Sequence, residues 1–126
     1  MNKIPTKIQL HKQSQQLELH FGGEQFLLPA EFLRVHSPSA EVKGHGPGQA
    51  VLQYGKQDVA ISTIERAGNY ALKLVFDDGH DTGIYTWDYL YELGKNQENL
   101  WNAYLDALHL ADKSRAKDSS VVKIIG

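Results

Sequence analysis

Three aspartates and one histidine lie within five residues, in the segment Asp77-Asp78-Gly79-His80-Asp81. Carboxylate oxygens and imidazole nitrogens bind divalent metals in proteins, so a metal site is one interpretation. The spacing matches no local metal motif. An EF-hand loop needs carboxylates at alternating positions, glycine at the sixth and glutamate at the twelfth. The His-x-Asp pair of non-haem iron sites is also missing, because no histidine has an acid two residues later.

The same five residues have the composition of a tight turn. Apolar runs precede and follow them, at residues 69–76 and 82–87, so they fall where a hairpin reverses. Gly79 can adopt a positive φ angle, and the neighbouring aspartates can accept hydrogen bonds from backbone N–H groups. Turning the chain is the favoured interpretation, and metal binding through His80 stays open as the alternative.

Nucleophilic catalysis finds little support in the sequence. Ser37 and Ser39 lie close to His36, but neighbouring side chains of an extended chain diverge. The chain contains neither a G-x-S-x-G nucleophile elbow nor a G-x-x-x-x-G-K-[ST] phosphate-binding loop. The prediction is therefore a protein that is not an enzyme and has no catalytic residues.

Composition excludes several other classes. The 126 residues contain no cysteine, which excludes disulfides, thiolate metal sites and cysteine nucleophiles and suits a reducing cytoplasm. Thirteen basic and fifteen acidic side chains give a formal charge of −2, without a basic stripe for nucleic acid. The basic N-terminus lacks the apolar run of a signal peptide, and no segment is long and apolar enough to span a membrane. We expect a cytoplasmic protein that binds neither nucleic acid nor membrane.

Alternating apolar residues predict strands, and Gly22-Gly23 separates two of them as a hairpin turn. The predicted strands are residues 7–10, 17–21, 24–28, 51–55, 59–68 and 69–76, followed by the apolar run 82–87. In the strand of residues 69–76, the expected buried face contains Tyr70, Leu72, Leu74 and Phe76. Between the third and fourth strands, residues 36–50 contain two prolines and three glycines and predict an irregular connection.

Helical patterns occupy the remaining apolar segments. Residues 30–35 follow Pro29 and predict a short helix. Thr86 is placed to cap a second helix that Gly94 would end. A third, from about residue 96, has an apolar stripe of Leu100, Trp101, Tyr104, Leu105 and Leu108. The fold class is therefore α+β: a small antiparallel, strand-rich sheet domain, residues 1–111, covered by one or two helices. Residues 112–126 predict a flexible tail, with residues 121–125 docking late.

Two segments carry a family resemblance: FLRVHSPSAEVKGHG, residues 32–46, and VAISTIERAGNYALKLVFDDGHDTGIYTWDYLYELG, residues 59–94. Their signatures, LR-x-x-SPSAE and DGH-x-(T/S)GIY-x-W, resemble those of the gamma-butyrobetaine hydroxylase-like N-terminal domain family. The resemblance implies a compact α+β module that occurs alone in bacteria, ahead of hydroxylase catalytic domains, or joined to iron–sulfur carrier ATPases. The chain resembles a stand-alone bacterial member, because neither partner domain is recognisable in it.

Hydroxylases of that family bind a structural zinc through three cysteines and one histidine. By resemblance those positions correspond here to Ser37, Ser39, Val42 and His80. Hydroxyls and a valine cannot replace thiolates, so the resemblance implies that this zinc site is lost and that no cofactor is expected. A residual zinc or iron site would combine His80 with His36, His45, Glu41 or an aspartate among residues 77, 78 and 81.

Two functional hypotheses follow. The first is an accessory module that binds an unknown protein through the residue 37–41 loop and the residue 77–81 turn, with Arg34, Ser39, Glu41 and His80 as polar contacts. The second is a metal-binding module built around His80 and linked to iron or iron–sulfur proteins. Structural roles are the alternatives: Arg34 would pair with Glu31 or Glu41, Trp87 would fill the core, and His45 would be a solvated loop residue.

Overall fold

The computed structural model describes residues 3–117 of the chain. Six strands form two antiparallel sheets, each of three strands in sequential order. The first sheet contains β1 (Lys7–His11), β2 (Gln16–Phe21) and β3 (Glu24–Pro29), and the second contains β4 (Ile61–Ala67), β5 (Ala71–Phe76) and β6 (Gly83–Thr86). The helices are α1 (Ala30–Val35), α2 (Ala40–Lys43), α3 (Trp87–Lys95) and α4 (Gln97–Leu110). The predicted α+β class is confirmed, with two small sheets as its strand component.

The core lies where the inner faces of both sheets meet α1 and α3. Each inner face follows the period-two pattern expected of a half-buried strand. The core includes Leu17, Leu19 and Phe21 of β2, Leu72, Leu74 and Phe76 of β5, and Phe32, Leu33, Tyr85, Trp87 and Leu90. Trp87 is 5% exposed and donates its indole N–H to the Asn69 carbonyl at 2.8 Å, so the predicted core role of Trp87 is confirmed. Tyr70 differs from the prediction: it precedes β5 and is 62% exposed.

Helix starts are set by local chemistry. Helix α1 begins directly after Pro29, as predicted. Thr86 caps α3, because its hydroxyl accepts the Tyr89 N–H at 3.1 Å. None of the helices within residues 3–117 has both the length and the apolarity needed to cross a bilayer.

Besides the exposure of Tyr70, three further expectations differ from the structure. Residues 51–55 form no strand: Val51 N–H binds the Val42 carbonyl at 2.7 Å and Gly55 N–H binds the Ser114 carbonyl at 2.9 Å, so this backbone pairs with loops instead of a ladder. Within the predicted irregular connection, α2 adds one helical turn, because the Ser39 carbonyl accepts both the Val42 and Lys43 N–H groups. Gly94 lies inside α3 and does not end it.

Tail residues 112–117 contact the domain, and the predicted docking of residues 121–125 lies outside the described residues. Ser114 and Arg115 carbonyls accept N–H groups of Gly55 and Gln57 at 2.9 and 3.0 Å. Lys113 Nζ lies 4.7 Å from the ring centroid of Tyr54. The boundary at residue 112 and the flexibility of the tail stay predictions.

Gly94 is required by a close approach to β3. A Cβ at this position would lie 2.5 Å from Cγ of Phe26, well inside van der Waals contact. Although alanine normally favours a helix over glycine, we expect Gly94→Ala to lower the free energy of unfolding by about 1–3 kcal/mol, because the ring must move. Urea unfolding measures the change. Gly23→Ala is the control: its Cβ meets nothing within 4 Å, and we expect less than about 0.5 kcal/mol. Equal effects of the two substitutions would contradict the close-approach explanation.

Candidate functional site

Two segments that lie more than thirty residues apart in sequence, residues 37–43 and 77–82, meet at His80. The β5–β6 turn is closed by Gly79, whose φ is +90°, and by the Phe76 N–H, which donates to the His80 carbonyl at 2.9 Å. The turn therefore holds His80 in one place, as the turn interpretation of Asp77–Asp81 predicts. Opposite it, α1 ends at His36, and Pro38 leads the chain into α2. We call residues 37–43 and 77–82 together the loop–turn surface.

The His80 ring is bonded at both nitrogens. Its Nε2 lies 2.7 Å from Oγ of Ser37, and its Nδ1 lies 3.0 Å from Oε1 of Glu41. A carboxylate can only accept, so Nδ1 carries the proton and the Ser37 hydroxyl donates to Nε2 of the neutral ring. Glu41 also accepts the Thr82 hydroxyl at 3.0 Å. The loop and the turn are thus joined by direct contacts at His80.

Serine, histidine and glutamate here have the bonding order of a nucleophile, base and orienting acid. Access differs from that of an active site. Ser37 has no exposed surface, whereas the side chain of Glu41 is 68% exposed. Gly83 backs onto Ser37 so closely that a Cβ there would lie 2.7 Å from the serine Oγ. The Ser37 hydroxyl therefore faces His80 and the Gly83 backbone with no surface exposed to solvent, and the arrangement joins the two loops.

Ser39 is buried like Ser37 but differs in its bonding. Its hydroxyl is buried and has no hydrogen-bond partner within the described residues, and the residue as a whole is 9% exposed. The Ser39 N–H donates to Oγ of Ser37 at 3.3 Å. Val42 is buried one turn later, at 7% exposure. The loop therefore places Ser37 against His80 and supplies two further side chains, a hydroxyl and a hydrocarbon, that do not fit zinc.

Arg34 forms a second buried polar contact with the turn. Its side chain is 8% exposed; Nε donates to Oδ2 of Asp78 at 2.9 Å and Nη1 to Oε1 of Gln53 at 3.1 Å. The predicted partners were wrong, because Glu31 binds Arg115 and Glu41 binds His80. Arg34 therefore ties α1 to the same turn that carries His80.

Both carboxylate oxygens of Asp78 accept hydrogen bonds, from cationic side chains at Oδ2 and from a backbone N–H at Oδ1. Lys56 Nζ lies 2.7 Å from Oδ2, and the His80 N–H donates to Oδ1 at 3.1 Å. Burial alone would raise the pKa of Asp78, but hydrogen bonds from Lys56, the His80 N–H and Arg34 outweigh it and lower the pKa to about 2. Asp78 is therefore ionised at neutral pH and compensates the buried guanidinium.

Of the polar residues predicted for a binding surface, the structure exposes one. Arg34, Ser39 and His80 are buried at 7%, 9% and 6% exposure, and Glu41 is exposed. His45 lies on the exposed loop after α2, and the His36 ring faces its own helix, where Nδ1 lies 2.9 Å from the Phe32 carbonyl. Sequence reasoning missed Gln53 and Lys56, which complete the Arg34 and Asp78 contacts, because nothing in their local pattern marks them.

A metal at His80 would have to break an existing bond, since both ring nitrogens are engaged. Among residues 3–117, no group of three or more histidine, aspartate or glutamate side chains is arranged to hold an ion. Metal binding stays a prediction, and unchanged histidine NMR signals during zinc or iron titration would contradict it.

Two small antiparallel sheets, packed with helices around one core and carrying a loop–turn contact, define a small α+β domain. The gamma-butyrobetaine hydroxylase-like, N-terminal family model matches residues 8–91, and the chain belongs to this family. No curated protein matches the chain.

The solved structures that are similar to the chain include the following three. One protein with a solution structure determined by NMR is 58% identical, covers 100% of both chains and has a TM-score of 0.84. A second NMR solution structure is 49% identical over 99% of this chain and 95% of that chain, with a TM-score of 0.78. A crystal structure of a DUF971 family protein of unknown function from Acidithiobacillus ferrooxidans is 34% identical over 71% of this chain and 91% of that chain, with a TM-score of 0.59. These relatives support the same family, and their descriptions state no activity.

We expect alanine substitutions of the two buried serines of the loop to have different effects on the free energy of unfolding. Ser37→Ala leaves Nε2 of His80 buried without its donor, so we expect the free energy of unfolding to fall by about 1–3 kcal/mol. Ser39→Ala removes a hydroxyl that has no partner, so we expect a change within about 0.5 kcal/mol or a small gain in stability. Urea unfolding of both variants measures the difference. A larger loss for Ser39→Ala than for Ser37→Ala would contradict the assigned contacts.

His80 predicts a pH dependence of stability. Burial, followed by the charge of Arg34, lowers its pKa below 6.5, against the opposing effects of Glu41 and Asp78. The unfolded chain then binds more protons than the folded one just below pH 6.5, so the contribution is complete above 6.5 and is lost as pH falls through the folded pKa. NMR titration of the His80 ring should give a midpoint below 6.5. A midpoint above 6.5 would show that Glu41 outweighs burial.

Proposed function

We propose that the chain is a non-catalytic accessory module that binds a protein partner through the loop–turn surface. The observation that carries this proposal is the set of bonds that ties the two loops together through His80. The partner chemistry that fits is a segment with a lysine or arginine next to an aliphatic or aromatic side chain. The following features support it.

The surface is held rigidly before any partner arrives. Ser37 and Glu41 fix His80, Thr82 binds Glu41, and Arg34 fixes Asp78. A partner that binds such a surface orders few side chains of this chain, so less of the interaction free energy is lost to conformational entropy. Buried Arg34, Ser37 and His80 would then support the contacting residues from below without touching the partner.

The outer edge of the surface is acidic. Glu41, Asp77 and Asp81 are exposed, together with Thr82. Helix α2 also contains an exposed lysine, Lys43, but its Nζ lies over the Tyr89 ring, 4.5 Å from the ring centroid. Carboxylates at the rim of an interface favour a basic partner and make association dependent on salt.

An apolar groove of about 340 Å³ adjoins this acidic edge. Its apolar walls are Val35, Val42, Val51, Leu52, Tyr89 and Tyr104. The groove is continuous with α2, because the Val51 N–H binds the Val42 carbonyl, and Val51 is 54% exposed. A pocket for one apolar side chain beside a charged rim is the arrangement that concentrates binding energy in protein interfaces.

Two matched double variants test the proposal. Asp81→Lys with Val51→Lys changes the acidic edge and the groove, whereas Glu65→Lys with Leu105→Lys makes the same chemical changes at exposed positions on β4 and α4. Proteins captured from a host extract by the wild type are purified and titrated against all three chains by calorimetry. We expect a partner whose affinity falls about ten-fold or more for the first variant only, and falls further at high salt.

The contradicting outcomes are equally definite. The interaction surface is wrong if both double variants bind every captured protein as the wild type does. A fluorophosphonate probe, which labels activated serines, separately tests the statement that the module is non-catalytic. Labelling of Ser37 in the folded chain would show an accessible, activated serine and overturn it.

A further inference from the structure

Helix α1 also carries a buried carboxylate, Glu31, which takes no part in the loop–turn surface. The side chain of Glu31 is 7% exposed, and both of its oxygens accept N–H groups of Arg115: Nε at 2.9 Å and Nη2 at 2.7 Å. A carboxylate this far from water is strongly destabilised without a partner. Two parallel bonds from one planar group satisfy it with a geometry that an ammonium group cannot reproduce.

The indole of Trp101 adds a second feature suited to a guanidinium. Cζ of Arg115 lies 5.1 Å from the Trp101 ring centroid, within the range of a cation–π contact. A carboxylate fork at the edge of the guanidinium and an aromatic ring near it together recognise both the charge and the planar shape of the group.

The backbone of residues 114–115 is also bound, by N–H groups of the loop at residues 55 and 57. Consecutive carbonyls, of Ser114 and Arg115, accept the N–H groups of Gly55 and Gln57, so the backbone of this bent segment is held along residues 55–57. Asp112, with a φ of +57°, separates this segment from α4. A left-handed aspartate costs free energy, which lowers the net stability of the docked segment.

Space remains beside the bound arginine. A cavity of about 630 Å³ lies between α1 and the α3–α4 junction, and its walls include Phe32, Gly94, Trp101 and Arg115 itself. The side chain of Arg115 is still 38% exposed. A bulkier segment with arginine at the same position therefore has room that the chain's own residues leave unfilled.

We propose that Glu31, Trp101 and the N–H groups of residues 55 and 57 form a binding site for an arginine-bearing segment of a partner protein. The chain occupies this site with its own Ser114 and Arg115, which a partner must displace. The site is separate from the loop–turn surface and does not depend on the function proposed for it.

The full chain with Arg115→Ala tests the proposal. The probe is the acetylated and amidated peptide DKSRAK, which has the sequence of residues 112–117, and the control is the same peptide with lysine in place of arginine. Binding is followed by calorimetry and by tryptophan fluorescence. We expect saturable binding of the arginine peptide to Arg115→Ala, with affinity about ten-fold or more above that of the wild type, whose own segment competes. The lysine peptide should bind about ten-fold more weakly.

Removing the carboxylate completes the design. Glu31→Gln combined with Arg115→Ala should lose the preference for arginine over lysine. If Arg115→Ala does not fold, Arg115→Lys gives the same comparison, because lysine keeps the charge without the bidentate bonds. The proposal is overturned if neither variant distinguishes the peptides. It is also overturned if folded Arg115→Ala shows no saturable binding of the arginine peptide at millimolar concentration, since the Glu31–Arg115 pair would then be a structural latch only.

Discussion

The His80 imidazole is the contact on which the candidate site depends. It accepts from Ser37 at one nitrogen and donates to Glu41 at the other, so a single ring joins the end of α1 and α2 to the β5–β6 turn. Each partner also needs the ring. Ser37 is fully buried and would lose its acceptor, and a buried polar group without a partner costs more than the bond itself contributes. The loop conformation and the buried state of His80 therefore support each other.

The buried guanidinium of Arg34 is the second polar group that contacts the β5–β6 turn. Arg34 reaches the same turn through Asp78, and the carboxylate is held ionised by Lys56 and by the His80 N–H as well. The loop of residues 51–59 takes part from the other side, because Gln53 accepts from Arg34 and its carbonyl accepts the Tyr104 hydroxyl at 2.7 Å. Charges from α1, the turn and this loop thus compensate one another at a partly buried position, where only Arg34 is almost fully shielded from water.

Bonding order alone does not make a serine a nucleophile. Ser37, His80 and Glu41 follow the order of a catalytic triad, but the serine is closed off by the backbone of Gly83 and the acid is the exposed member. In an active site the acid is buried and the nucleophile faces the substrate. The reversed exposure is the physical reason to assign the three residues to loop positioning.

Local pattern in the sequence determined the elements: alternation predicted five of the six strands, Pro29 the start of α1, Thr86 the cap of α3, and Gly79 the turn. These features depend on contacts within a few residues, which spacing encodes directly. Only the tertiary structure decided that Arg34 pairs with Asp78, that Ser37 reaches His80, that residues 51–55 leave the sheets, and that Gly94 makes room for Phe26. The paired positions lie tens of residues apart, where periodicity carries no information about which side chains meet, and burial then settled their roles.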